Sequence, residues 1–290
     1  MDNLTMDLVL MTRHNRDGAY GTQKNRQRGL IAMGRQLKDL GYVLPKARSL
    51  KTKHVQALLE HWQCRELDAA TIRNRLTWLR WWAERIDKPN IIERDNAVYG
   101  LAERHQPRNR AQRLEPAKLA NINCPYIRTS LLLQATFGLR REEAMKFQPG
   151  YAIQLNSIVI RASWSKGGRP RQIPITTGRQ RAALAEVRKL IPGDGSLIPP
   201  RLTYAEQLKR YEYQTLQAGL RNTHGLRHAY AKQRYLALTG WPCPLAGGKR
   251  WRQLNDNERQ QDRHARLAIA RELGHGRISI AEVYLGRAEG

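Results

Sequence analysis

Apolar residues recur every three or four positions in three early stretches of the chain, at residues 30–40, 55–62 and 72–86. That spacing places apolar side chains on one face of a helix, so each stretch predicts an amphipathic helix. Three or four such helices are expected to pack as a small bundle over residues 21–101. Residues 1–20 are polar and contain glycine and asparagine, and we expect them to form a mobile N-terminal tail.

The pattern changes twice in the rest of the chain. Residues 102–116 are rich in arginine and lack an apolar period, which predicts an extended basic linker. Within residues 117–290, helical stretches flank a region where apolar and polar residues alternate, and short antiparallel strands are expected at 151–155, 158–160 and 171–175. The predicted fold is therefore mainly α with a small antiparallel β-sheet, in two domains.

Charge narrows the choice of partner. Lysine and arginine outnumber aspartate and glutamate by 51 to 25, which gives a net charge of +26 and a pI near 10.7. Because cationic proteins release condensed counterions when they bind a phosphate backbone, this surplus predicts nucleic acid as the partner. A membrane surface is the rival, but no apolar run approaches the roughly 18 residues of a spanning helix, and the N-terminus lacks the charge of a signal peptide. We expect a cytoplasmic, nucleoid-associated protein without a membrane partner.

The cysteines and acidic residues give no sign of a metal or cofactor. Cys64, Cys124 and Cys243 are far apart and have no metal-ligand spacing. The sequence also has no acidic cluster or His/Cys set typical of a catalytic metal. We therefore expect reduced cysteines and chemistry that uses neither a metal nor a cofactor.

The first candidate motif is the segment that begins at Thr223. His224, Arg227 and His228 are three and four positions apart, so a helix starting there presents them on one face. The free N–H groups of a helix start favour an anion such as phosphate. Taken alone, an arginine beside a histidine is most often ordinary surface in so basic a chain.

A second motif lies near the C-terminus. Gly274 is expected to end one helix, and Ser279 with Glu282 has the spacing of a capping box that starts the next. Tyr284, nine positions after His275, is then expected in a short terminal helix. A tyrosine in such a position is more often a packing residue than a nucleophile.

Two motifs lie upstream of these. Arg140 follows Gly138 and Leu139 at an expected helix end, with Glu143 one helical turn further on. Arg141 competes with Arg140 as an anion ligand. Lys166 is expected at the tip of a glycine turn between two strands, where a lysine is usually only solvated.

The ordered combination of these motifs resembles the tyrosine recombinase (phage integrase) family. It consists of Gly138-Leu139-Arg140 with Glu143, Lys166 in a β-turn, His224-Gly225-Leu226-Arg227-His228, Leu273-Gly274-His275 and Tyr284. The resemblance implies that residues 117–290 are the catalytic domain, and that residues 21–101 are a helical, SAM-like core-binding domain that contacts DNA. A segment at about 239–262 exceeds the usual length, and its role as a DNA contact, a protein contact or a simple loop is open.

The resemblance also implies a role for each motif residue. These are Tyr284 as nucleophile, Arg140 and Arg227 as phosphate ligands, Lys166 as general acid, His224 and His275 as further catalytic groups, and Glu143 and His228 as supporting residues. The residue types suit the chemistry, because a guanidinium is permanently charged and matches phosphate with two donors. A phenol attacking phosphorus must lose its proton, which a cationic pocket favours.

The expected function is site-specific DNA recombination through a 3′-phosphotyrosyl intermediate, in the setting of mobile-element integration or excision. By resemblance, the enzyme acts as a homo-tetramer on paired double-stranded sites, with accessory DNA-bending or directionality proteins as further partners. Two alternatives stay open at this stage: DNA relaxation like that of a type IB topoisomerase, and a catalytically inactive DNA-binding protein of the same fold. The short segment after Tyr284 leaves subunit swapping through the C-terminus open.

Overall fold

A computed structural model describes residues 2–101, 108–165 and 167–288 of the chain. The chain divides into two compact units, Met1–Gln106 and Pro107–Gly290. Among the described helices, none combines the length and the apolar character needed to cross a membrane.

The first unit is a helical bundle. Its α-helices are α1 (Asn3–His14), α2 (Tyr20–Asp39), α3 (Thr52–Cys64) and α4 (Ala69–Arg85). The apolar stripes of these helices meet in one core, whose fully buried members include Leu8, Leu30, Leu37, Leu58, Trp62 and Trp82. Burial of each such side chain contributes about 1.5–3 kcal/mol, so the predicted helical periodicity accounts for the bundle.

The expectation of a mobile tail over residues 1–20 was wrong for α1. The side chain of Asp2 caps this helix by accepting a hydrogen bond from the backbone N–H of Thr5 at 2.7 Å. Leu4 and Leu8 are buried in the bundle core. The four-residue spacing of these leucines was present in the sequence, in an apolar patch that continues to Met11.

The second unit combines helices with a two-stranded sheet. Its α-helices are α5 (Pro116–Ala120), α6 (Pro125–Phe137), α7 (Arg141–Met145), α8 (Pro149–Ala152), α9 (Gly178–Leu190), α10 (Tyr204–Gln217), α11 (His224–Thr239), α12 (Asp256–Glu272) and α13 (Glu282–Leu285). Strands β1 (Ser157–Ile160) and β2 (Arg171–Pro174) are antiparallel, with Ile158 opposite Ile173. The fold class is thus mainly α with a small antiparallel sheet, as the sequence predicts.

The expected strand over residues 151–155 was wrong. Residues Pro149–Ala152 form α8, and Ile153 alone makes an isolated bridge, to Ile158. Pro149 occupies the first helical turn, where its fixed φ and missing N–H are tolerated. The alternation of apolar and polar residues here therefore follows from a short helix and a bridge.

The described part of the expected linker belongs to the second unit and packs against the start of α11. The backbone N–H of Gln112 donates to the carbonyl of Gly225 at 3.0 Å. A Cβ at Gly225 would lie 2.6 Å from the carbonyl oxygen of Arg110, so only glycine allows this close approach. Residues 102–107 of the expected linker lie outside the described residues.

The segment at 239–262 packs against the C-terminal helix α13. It contains short 3-10 helices at Pro244–Ala246 and Trp251–Gln253, followed by the start of α12. Cys243 is fully buried in the larger core of the second unit, which also contains Leu285 of α13. The segment is therefore part of the packed structure around the terminal helix.

Candidate active site

Arg227 lies at the centre of the candidate site, one turn into α11, with only 1% of its surface exposed. Its Nη1 donates to the carbonyl of Gly138 at 2.5 Å, and its Nη2 donates to the carbonyl of Leu273. These two residues cap the C-terminal ends of α6 and α12. Helix C-termini carry partial negative charge, which stabilises a buried cation.

Glycines at both helix ends shape this arrangement. Gly138 has a φ of 63° and Gly274 has a φ of 69°, in the left-handed region that ends a helix cleanly. At Gly138 a Cβ would also come within 2.5 Å of the Tyr230 ring. The prediction that Gly274 ends a helix is confirmed, since α12 ends at Glu272 and is capped by Leu273.

Tyr284 meets Arg227 through its hydroxyl group. Arg227 Nε donates to the Tyr284 hydroxyl oxygen at 3.3 Å, and His275 Nε2 lies 3.3 Å from the same oxygen. Arg227 Nη2 is also 3.3 Å from His275 Nε2. The phenol, the guanidinium and one imidazole thus form a closed triangle, in which Tyr284 is 5% exposed.

Tyr284 lies in the short terminal helix α13, as expected, but the predicted capping box was wrong. The N-cap of α13 is Ala281, which makes no side-chain hydrogen bond, and residues Ile278–Ile280 form a 3-10 helix instead. Ser279 therefore lies in the turn before the cap. The position of α13 depends on tertiary contacts rather than on its own sequence.

The imidazoles around Tyr284 are held in their neutral form. His228 packs against the Tyr284 ring with centroids 4.5 Å apart, and His224 lies further away at 6.2 Å. Burial, reinforced by neighbouring cations, lowers the pKa of His275 to about 4 and that of His228 to about 4, and it also lowers the pKa of His224. A neutral imidazole keeps a lone pair that can accept a proton.

Arg140 is held by Glu143, one turn along the chain. Glu143 Oε1 accepts from Arg140 Nη1 at 2.7 Å, and Glu143 Oε2 accepts from the Arg140 backbone N–H at 2.7 Å. Arg141 instead pairs with Glu212 at 3.0 Å on a more exposed face. Arg140, still 22% exposed, remains accessible next to the buried Arg227.

Sequence reasoning missed Arg171, which also binds Glu143. Its Nη1 and Nη2 donate to the two Glu143 oxygens at 3.0 and 2.6 Å, and its Nε donates to the carbonyl of Glu272 at 2.7 Å. Burial raises the pKa of Glu143, but the hydrogen bonds and charge of Arg171, with those of Arg140, hold it at about 2. Arg171 shares a strand face with buried Ile173, and that inward register was the available signal.

Lys166, the expected general acid, lies outside the described residues. It belongs to the connection between β1 and β2, where the backbone N–H of Gly168 donates to the carbonyl of Ser165 at 3.1 Å. Its role stays a prediction.

Family comparison assigns both parts of the chain. Residues 1–88 match the model of the phage integrase N-terminal domain, and residues 114–233 match the model of the integrase domain. The chain belongs to the phage integrase family of tyrosine recombinases. No curated protein matches the sequence of this family member.

Solved recombinase structures share the fold of this phage integrase family member at low sequence identity. XerH site-specific recombinase bound to palindromic difH substrate has a TM-score of 0.59 and 18% identity, over 97% of this chain and 80% of that one. A lambda integrase dimer bound to a COC' core site has a TM-score of 0.62 and 15% identity, over 98% and 77%. Tn1549 transposon integrase in complex with circular intermediate DNA has a TM-score of 0.59 and 16% identity, over 99% and 96%.

Proposed function

We propose that this protein is a site-specific DNA recombinase that cleaves and rejoins strands through a 3′-phosphotyrosyl intermediate. The observation that carries the proposal is the 3.3 Å contact between the Tyr284 hydroxyl and the buried guanidinium of Arg227. A guanidinium that touches a nucleophile also lies within reach of the phosphate that the nucleophile attacks. Family membership supports the same reading.

The charge balance of the site favours a phosphate. Among the described residues, Glu143 is the one carboxylate within ion-pair distance of Arg140 and Arg171, and Arg227 has no carboxylate at that distance. Three guanidinium groups against one carboxylate leave a surplus of two positive charges. A phosphodiester gains negative charge on its non-bridging oxygens as it reacts, so this surplus stabilises the transition state more than the ground state.

The geometry of the described residues suggests a route for the proton of the phenol. Tyr284 oxygen forms a bond to phosphorus while its proton is relayed through His275 Nε2, 3.3 Å away, to water, since an imidazole with a pKa of about 4 does not keep the proton at neutral pH. The bond from phosphorus to the 5′-oxygen breaks, and that oxygen takes a proton from the general acid, for which we propose Lys166. His224 is left to bind the phosphate, and His228 supports the Tyr284 ring. Reversal by a 5′-hydroxyl of another strand completes the rejoining.

The partners proposed here follow those of the structural relatives. One lambda integrase structure is a tetramer bound to a Holliday junction, with a TM-score of 0.58 and 16% identity to this chain. Another relative is the integrase of a transposon. We extend these properties to this protein as a homo-tetramer on paired double-stranded sites, serving the integration or excision of a mobile element.

Covalent trapping tests the proposal. Nicked duplexes are prepared from the DNA on both sides of the gene that encodes the protein, so that cleavage releases a short strand and leaves the protein attached. The wild type is expected to form a covalent adduct, and Tyr284→Phe is expected to form none. Tyr213→Phe, at a 65% exposed tyrosine of α10, is the matched control and should trap normally. An adduct with Tyr284→Phe contradicts the nucleophile assignment, and no adduct with the wild type favours a protein that only binds DNA.

A further inference from the structure

The placement of Tyr284 depends on a helix that is not stable by itself. Helix α13 contains four residues, Glu282–Leu285, whereas isolated helices need about 12 residues or more to be even marginally stable in water. Its N-cap makes no side-chain hydrogen bond. Contacts from other elements must therefore hold the phenol at Arg227.

One such contact is made by Arg266 of α12, whose side chain is 2% exposed. Arg266 Nη1 donates to the carbonyl of Gly286 at 2.8 Å, and Gly286 is the C-cap of α13. Because Gly286 comes two residues after Tyr284, this bond fixes the C-terminal end of the helix that carries the phenol. Its N-terminal end is joined to α12 by residues 273–281, which include the 3-10 helix Ile278–Ile280.

Arg266 is itself held by a buried carboxylate. Its Nε donates to both oxygens of Asp262, at 2.9 and 2.8 Å, and Asp262 is 1% exposed. The Tyr235 hydroxyl of α11 donates to the same carboxylate. Burial, together with the hydrogen bond to Asp262, raises the pKa of Tyr235, so that hydroxyl keeps its proton. Tyr235, Asp262, Arg266 and the Gly286 carbonyl form one chain, which we name the Arg266 latch.

The segment Pro244–Ala246 covers the other side of the latch. A Cβ at Gly286 would lie 3.0 Å from the Cβ of Pro244 and 3.3 Å from the side chain of Leu245. Lys232 of α11 donates to the carbonyl of Leu245 at 3.1 Å, which ties this segment to the helix that carries Arg227. The end of α13 thus fits between Arg266 and residues of the 239–262 segment.

We propose that Arg266 is a positioning residue for the reaction. It sets the position of α13 so that the Tyr284 hydroxyl meets Arg227 of the same chain, and it touches neither the phenol nor the guanidinium. The effect of Arg266 on cleavage rests on the proposed function. The effect of Arg266 on the position of α13 does not depend on any activity. A residue that served only general stability would instead affect the whole second unit.

Hydrogen exchange of the DNA-free protein tests the positioning effect. Arg266→Lys keeps a cation for Asp262, but its single nitrogen cannot occupy both the Nε position that bonds Asp262 and the Nη1 position that bonds Gly286. The amides of Leu285 and Gly286, which donate to Ala281 and Glu282, are expected to exchange at least about tenfold faster, with little change in α11. Arg263→Lys, at an exposed position of the same helix, is the control. Unchanged exchange at these amides overturns the proposal.

Covalent trapping at saturating DNA supplies the functional readout. Arg266→Lys is expected to trap about tenfold more slowly with unchanged DNA affinity, because a small displacement of a reacting atom is costly. Gly286→Ala should act likewise by pushing α13 away from Pro244, whereas Gly41→Ala has a similar positive φ and open space around it and should trap normally. A wild-type rate for Arg266→Lys, or a parallel loss of DNA affinity, overturns the proposal. If the wild type itself traps nothing, the proposed function fails while the exchange measurement still decides this inference.

Discussion

Arg227 and Arg266 are the two arginines most deeply buried in the second unit, and both donate to carbonyls that cap helix ends. Their charges are balanced differently. Arg266 pairs with the buried carboxylate of Asp262, whereas no carboxylate of the described residues lies within ion-pair distance of Arg227. Burial lowers the pKa of Arg227 to about 10, which shows that burying the charged guanidinium is unfavourable to the free energy of folding. A buried cation with its own carboxylate is typical of structure, and one without it indicates a site for an external anion.

This comparison of the two arginines predicts that Arg227→Met causes the largest loss of covalent trapping. This substitution removes the guanidinium from the Tyr284 hydroxyl and is expected to lower covalent trapping by about 10³-fold, the loss typical of a charge-stabilising group. Affinity for the duplex should change much less, because Arg227 is one of 51 lysine and arginine residues and the net positive charge stays large. The assay is adduct formation at saturating DNA. Trapping within tenfold of the wild type would show that Arg227 is not a phosphate ligand.

An intermediate effect is expected for Arg171→Met. Arg171 binds Glu143, which in turn binds Arg140, so its loss lets the Arg140 guanidinium shift. We expect trapping to fall by about ten- to a hundredfold. Arg179→Met, at an exposed position of α9, removes the same charge and should leave the rate unchanged. Equal trapping rates for the two variants would show that Arg171 does not position Arg140.

The smallest predicted effect is on how the stability of the protein depends on pH through His228. The folded-state pKa of His228 is about 4, below its ordinary value of about 6.5. Between these two pKa values the unfolded chain binds more protons than the folded protein. The contribution of neutral His228 to the free energy of unfolding is therefore complete above pH 6.5 and is lost as the pH falls towards 4. Burial is the main cause of this lowered pKa. The surrounding basic groups lower it further, and they are His224, Arg110, Lys232 and Arg227.

Urea unfolding at pH 7.5 and pH 5 measures this dependence. His228→Asn should lose less stability between the two pH values than the wild type does, because the asparagine cannot be protonated. His264→Asn, at an exposed position of α12, should behave as the wild type. An unchanged pH dependence in His228→Asn would contradict the account of a buried neutral imidazole.

Local signals in the sequence predicted much of this arrangement. The helix end at Gly274 and the start of α11 near Thr223 each follow from residues adjacent in the chain. The fold class and the family were predicted for the same reason, because the motifs are short and ordered.

Contacts between distant residues that belong to none of the recognised motifs escaped prediction. Arg171 meets Glu143 across 28 positions, and the Gly286 carbonyl meets Arg266 across 20. The sequence shows each as an ordinary basic or small residue, and only the packing of β2, α12 and α13 brings the partners together. The Ser279 capping box failed for a related reason, since tertiary contacts set the start of α13. The catalytic roles remain predictions until trapping is measured.

The most direct test of the difference between the two arginines is the free energy of unfolding of Arg227→Met and Arg266→Met, measured side by side. Arg266→Met leaves Asp262 buried without its cation and is predicted to cost about 3–5 kcal/mol. Arg227→Met leaves the carbonyls of Gly138 and Leu273 without their donor, but it also removes a buried charge that no carboxylate balances, so the net cost is predicted to be smaller, at about 1–2 kcal/mol. Equal destabilisation of the two variants would show that Arg227 is a structural cation and would contradict its assignment as the phosphate ligand.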